Sequence, residues 1–253
     1  MVSEMLKKSI IILFLLLLIV NNSSGSNILA KSRSLTLEKG MNYPWMEEYW
    51  SGNPNINYMN YLNIRSSTGQ AKLSSFKTQI SLMSQMGFKT LRLPVSFDHW
   101  EDRKSPYNID SVSYFMAIDS AIIWCNLYNM NLVIDYHHGN LYDGNFWTEL
   151  PRVDSLWKQI ANRYKNTDPN KVFFELYNEP NGISTSNWKT AAQSIISTIR
   201  PILKNHTFIL GANNWNSQYN MKDILVSDTN IIYTFHFYEP FLFTHQGYFY
   251  IQY

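Results

Sequence analysis

The sequence predicts an α/β chain, a (β/α)8 TIM barrel that is incomplete, with about six of its eight β/α units present. Two observations lead there. Strand-like and helix-like segments alternate along the chain, which is the pattern of a parallel sheet. Nearly every strand-like segment then ends in polar or aromatic side chains, as at a barrel mouth. A third observation sets aside the doubly wound nucleotide-binding sheet. That fold needs a glycine-rich turn after its first strand, and here the first strand ends Gly40-Met41-Asn42-Tyr43-Pro44.

The elements follow in order. Residues 1–26 read as a secretory signal: Lys7-Lys8 precede the apolar run Ile10 to Val20, and Ser23, Ser24, Gly25 and Ser26 follow it. Eleven apolar residues fall short of the about 20 that span a bilayer, so a membrane anchor is disfavoured. Residues 27–253 then suit one domain with a sizeable core. Leu37–Asn42 reads as a first strand, and Leu73–Met86 as a helix with apolar residues at Leu73, Phe76, Ile80, Met83 and Met86, stopped by Gly87. Thr90–Val95 is a strand with Pro94 near its end. Asp110 can cap a helix running to about Asn129. Strands at Leu132–Tyr136, Val172–Tyr177, Thr207–Gly211 and Ile231–Tyr238 alternate with helices at Pro151–Tyr164 and Ser186–Leu203.

Composition narrows the function. Without the signal, 21 Lys+Arg become 19 and 19 Asp+Glu become 18, a net charge of +1 that gives no pull toward nucleic acid or a charged membrane. Cys125 is alone, so no intrachain disulfide exists, and its apolar neighbours mark it as a core thiol. His137-His138 is a metal-like pair, but no third ligand stands at useful spacing, so neither metal nor cofactor is expected.

The strand ends carry the chemistry. Val172–Tyr177 is followed by Asn178-Glu179-Pro180, which sets a carboxylic acid where a barrel keeps its active site, and positioned carboxyl groups point to sugar hydrolysis. Arg92, inside an otherwise apolar strand, needs an anionic partner; Glu175 and Asp135 are candidates for a structural pair. Loop aromatics Tyr43, Trp45, Phe97, Trp100, Tyr142, Phe146, Trp147, Trp215 and Tyr219 suit either stacking on pyranose rings or ordinary packing. Trp215, directly after a strand, is the best platform, whereas Trp124 and Trp157 sit in helix patterns and read as core.

Four stretches, Leu91-Arg92-Leu93-Pro94-Val95-Ser96, Val133-Ile134-Asp135-Tyr136-His137-His138, Leu176-Tyr177-Asn178-Glu179-Pro180 and His236-Phe237-Tyr238, resemble family 5 glycoside hydrolases, the cellulase-type clan of retaining barrels. The resemblance covers about Leu37 to Gly247. It implies Glu179 as proton donor and acid/base, with a raised pKa, and Asn178 as partner of the sugar 2-hydroxyl. It implies Arg92 and Tyr238 as contacts of the nucleophilic carboxylate, and His137 and His236 as lining of the cleavage subsite. The nucleophile itself would be a glutamate closing a seventh strand. Six strands use 202 residues from Leu37 to Tyr238 and 15 remain, while a full barrel takes roughly 250 residues. The expectation is therefore that the nucleophile is absent, with the tail from Tyr248 to Tyr253 departing from the family pattern after His245-Gln246-Gly247. Glu239, two strands from Glu179, is poorly placed to replace it.

The implied protein is a secreted or periplasmic endo-acting glycosidase on a β-linked polysaccharide, a β-1,4-glucan first, β-mannan or xyloglucan next. It needs no nucleic acid or membrane partner and is monomeric if complete. The alternative is a non-catalytic fragment that binds glycan weakly.

Overall fold

The structure is a computed structural model describing residues 28–43, 46, 67–99, 101, 104–109 and 114–245. The expected signal at 1–26, Trp45, Trp100, the Asp110 cap and the tail from 246 to 253 lie outside the described residues.

Among the described residues, six strands form one parallel sheet in sequential order: β1 (Gly40–Asn42), β2 (Thr90–Val95), β3 (Asn131–Tyr136), β4 (Val172–Glu175), β5 (Phe208–Gly211) and β6 (Ile231–Thr234). Every neighbouring pair is parallel. Helices α2 (Ser67–Gln85), α3 (Tyr114–Leu127), α4 (Phe146–Tyr164) and α5 (Thr185–Ile199) connect successive strands from β1 to β5. This is the incomplete (β/α)8 barrel that the alternation predicts.

The pleat sorts side chains into two layers. Leu91, Leu93, Val95, Leu132, Ile134, Tyr136, Val172, Phe174, Phe208 and Leu210 belong to the main core with the helices. Helix α4 shows how a helix fits there. Leu150, Val153, Trp157, Ile160, Ala161 and Tyr164 recur at three- and four-residue spacing and are all buried. It starts five residues before the expected Pro151, because a proline in the second turn removes only one backbone donor. Helix α5 begins at a Ser184 cap that accepts the Asn187 N–H, and it ends at Ile199, short of the expected Leu203, just before Pro201.

The concave face is different. Val133, Phe173, Ile209 and Ile232 make a second apolar cluster with Ala30 and Leu37. Those two come from α1 (Ile28–Leu37), which replaces the start of the strand expected over Leu37–Asn42. Ala30, Arg33, Ser34 and Leu37 form its buried stripe. A charged residue inside that stripe hides its helical period. The helix is tied to the strand starts: Asn131 Nδ2 donates to the Thr36 carbonyl at 2.7 Å and Thr90 Oγ1 to the Leu37 carbonyl at 2.6 Å. Arg33 donates to Asn170 Oδ1 at 3.1 Å, to Thr207 Oγ1 at 3.0 Å and to the Asn205 carbonyl. Helix-terminal carbonyls and a buried guanidinium are thereby satisfied. Helix α1 thus takes up the polar side chains at the strand starts, Thr90, Asn131 and Thr207, and the polar groups from Arg92 onward lie nearer the C-terminal ends of the strands.

Candidate active site

Arg92 stands two residues above Thr90 on the same face of β2. Its side chain is buried, with Nε 2.6 Å from Glu175 Oε2, and Nη2 2.8 Å from Glu175 Oε1 and 2.8 Å from Asp135 Oδ2. Nη2 also donates to Asn178 Oδ1 at 2.8 Å, and Nη1 to Asn42 Oδ1 at 3.1 Å. Arg92 thus forms the ion pair with Glu175 and Asp135 weighed above, and it also orients Asn178. Burial would weaken the guanidinium's charge, but the facing carboxylates hold its pKa above the ordinary value. Glu175 moves upward, because burial outweighs the attraction of Arg92.

His137 follows β3, and its Nδ1 lies 2.5 Å from Asp135 Oδ2. His138 packs edge-on against it, with ring centroids 4.8 Å apart. Among the described residues no group of three His, Cys, Asp or Glu side chains has metal-binding proximity.

Glu179 lies in the loop after β4 with φ of 45°, a left-handed conformation uncommon outside glycine. Its Oε1 receives two groups from the segment after β6: His236 Nδ1 at 2.5 Å and the Tyr238 hydroxyl at 2.7 Å. Burial alone would raise the carboxyl pKa, but the His236 hydrogen bond and charge, Tyr238 and His137 together lower it. That is opposite to the direction the acid/base role calls for. The upward push in a retaining site comes from a second carboxylate about 5–5.5 Å away. Asp135 and Glu175 are buried and bound to Arg92, so neither can serve. Glu239 accepts the Phe241 N–H instead.

Trp215 follows β5 and is 54% exposed, and its backbone N–H donates to the Pro180 carbonyl at 3.3 Å. Tyr142, Trp147 and Tyr219 are also exposed, while Phe97 and Phe146 are buried in the core. Trp157 is buried and donates to the Leu176 carbonyl at 3.0 Å; Trp124 packs edge-on against Phe76. Cys125 is buried, and burial pushes its thiol up to about 12, which removes it from nucleophilic chemistry.

Two features escaped the sequence reading. Arg152 on α4 gathers Asp98, Glu101 and Glu149, and Asp98 also takes the Tyr136 hydroxyl, pinning the loop after β2 to β3 and α4. The second is Asn216, buried beside His236. Neither lies in a recognisable motif: Arg152 reads as one more residue of a helix and Asn216 as a loop residue after β5.

Parallel strands curled around a carboxylate and two imidazoles at their C-terminal ends define the (β/α)8-barrel class. Within it, residues 47–249 match the profile of cellulase, glycosyl hydrolase family 5, and the chain belongs to that family. It is 33% identical over 218 residues to Endoglucanase 3 of Fibrobacter succinogenes, covering 77% of this chain and 32% of that protein. It is 34% identical over 179 residues to Endoglucanase C of Acetivibrio thermocellus, covering 66% of this chain and 51% of the relative. The chain thus spans about a third to a half of the length of these relatives. Among solved structures, Thermotoga maritima Cel5A in complex with cellobiose superposes with a TM-score of 0.70 at 26% identity, over 87% of this chain and 67% of that one.

Proposed function

We propose that the chain is the larger part of a secreted, retaining endo-β-1,4-glucanase catalytic domain, residues 27–253, in which Glu179 is the acid/base. The observation that carries this is the position of Glu179: at a strand's C-terminal end, partly exposed, with His236 and Tyr238 both on Oε1. That leaves Oε2 to exchange a proton with the glycosidic oxygen and later with water. Asn178, its carbonyl oxygen taken by Arg92, keeps its amide N–H groups for the sugar 2-hydroxyl. Trp215 offers its indole face to a pyranose ring. Export rests on the sequence of residues 1–26; no helix among the described residues is long and apolar enough to cross a membrane.

Retention needs a nucleophilic carboxylate, which the family resemblance assigns to a seventh strand. The first test is therefore hydrolysis of cello-oligosaccharides by the chain alone and by the chain extended with two further β/α units of a relative. Anomeric configuration is followed by proton NMR. Activity with retention in the extended protein supports the reading; inversion, or no hydrolysis by a folded extended protein, overturns it. A β-mannan substrate comes second. A Thermotoga maritima Cel5A structure that holds mannotriose is 30% identical to this chain over 70% of its length, with a TM-score of 0.62. Parallel assays on glucan and mannan oligosaccharides rank the two.

A further inference from the structure

Asn214, Trp215 and Asn216 have φ of 58°, 57° and 54°, three successive non-glycine residues in the left-handed region. Such a run is costly, so its surroundings must hold it. Asn216 supplies the hold. It is fully buried, and its carbonyl accepts the His236 N–H at 3.0 Å. Its side chain lies over Gly211 so closely that a Cβ there would stand 2.2 Å from Oδ1 and 2.6 Å from Nδ2. A larger residue at 211 would evict the amide. In this position Asn216 Nδ2 is 3.2 Å from His236 Nε2. An amide nitrogen only donates, so Nε2 accepts, and a neutral imidazole with Nε2 as acceptor carries its proton on Nδ1. Nδ1 is the atom 2.5 Å from Glu179 Oε1.

We propose that Asn216 is a positioning residue that locks His236 in its Nδ1–H tautomer, and so fixes the donor that faces Glu179. Turning the amide over would set Oδ1 against Nε2, move the proton to Nε2 and withdraw that donor, so the tautomer itself decides the matter. Other charged or titratable groups also act on this pair. They are Tyr238 after β6, Glu175 on β4, Arg92 on β2 and His137 after β3. The link to catalysis rests on Glu179 being the acid/base; the tautomer does not.

The test is nitrogen-15 NMR of the full chain labelled in histidine, with His236 assigned by its loss in His236→Gln. The expected spectrum has Nδ1 protonated and Nε2 unprotonated. Asn216→Asp keeps the shape but only accepts at neutral pH. It should turn His236 into imidazolium at neutral pH, seen as protonation of both ring nitrogens. Asn216→Leu removes the donor at similar volume and should shift the neutral His236 ring toward Nε2–H. A wild-type Nε2–H tautomer would overturn the proposal. So would variants that lose thermal stability while the nitrogen-15 signals of the His236 ring stay unchanged. The wild-type spectrum decides even if a variant does not fold. None of these readouts needs hydrolysis, so an inactive chain with the expected tautomer would count against the proposed function and not against this assignment.

Discussion

Arg92 holds both carboxylate oxygens of Glu175, Nε on Oε2 at 2.6 Å and Nη2 on Oε1 at 2.8 Å, with both side chains buried. A fork of this kind is geometry that lysine cannot copy. Because Asp135 shares the same guanidinium and His137 leans on Asp135, one side chain on β2 sets the orientation of groups on β3 and β4.

Breaking that arrangement should be expensive. Arg92→Met leaves two buried carboxylates without a cation, a loss of about 3–5 kcal/mol in unfolding free energy. The double variant Arg92→Met/Glu175→Leu should recover part of it, since the uncompensated charge is what costs. Urea unfolding of the single and double variants checks this. Additive losses would mean that the two side chains do not act as a pair.

Glu179→Gln keeps the hydrogen bonds of the site near their places but removes the titratable proton. In the active, extended protein, hydrolysis of cello-oligosaccharides should fall by about 10²–10⁴-fold, the usual worth of general acid–base help. Aryl glycosides with good leaving groups need little protonation and should lose much less in the first step. Comparing the two substrates in single-turnover kinetics separates the roles; equal losses on both would remove the acid/base assignment.

Trp215→Ala tests the sugar platform. The indole is 54% exposed, so its removal should cost less than about 1 kcal/mol of stability while weakening oligosaccharide binding by about 0.5–1.5 kcal/mol. Calorimetric titration with cello-oligosaccharide and thermal unfolding on the same samples measure both. Loss of stability without loss of affinity would place Trp215 in packing.

Much of the fold was legible in the sequence because burial repeats at a short period. Thr90–Val95 coincides with β2, and the other strands from β3 to β6 start within one residue of expectation. The expected ends of β4 and β6 ran past Glu175 and Thr234, since apolar residues such as Leu176 and Phe235 continue into the mouth, where the ladder has already ended. Helix α1 was hidden because Arg33 interrupts its apolar stripe and finds its partners 137 to 174 residues away. For the same reason Asn216 was invisible. An asparagine in a loop reads as turn chemistry, and its meaning depends on Gly211 beneath it and His236 beside it. Glu179, Arg92, His137, Asn178, His236 and Tyr238 were each singled out as strand-end polar residues, and their roles were expected from the family resemblance. Which carboxylate Arg92 grips, and that Tyr238 meets Glu179, are facts of the curled sheet alone.

His206 gives a pH dependence at the opposite end of the sheet. It precedes β5, is 2% exposed, and has its Nε2 3.0 Å from the Thr167 hydroxyl, while Nδ1 has no hydrogen-bond partner among the described residues. Burial lowers its pKa to about 4, with Arg33 and Arg200 adding to the effect and Thr167 and Asp168 opposing it. Above about pH 6.5 the ring is neutral whether the chain is folded or not, so it contributes no pH dependence there. As pH falls from about 6.5 toward 4, the unfolded chain takes up a proton that the native state refuses, and stability drops; below about 4 both states are protonated and the drop levels off. Allowing for solvent screening near the strand ends, the loss is on the order of 2 kcal/mol. His206→Gln keeps a polar side chain near Thr167 and cannot titrate. The difference in unfolding free energy between wild type and this variant, measured in denaturant from pH 7.5 to 4, should shift in favour of the variant as the solution becomes more acid. A difference that stays flat over that range would mean that His206 is protonated in the native state as readily as in the unfolded chain.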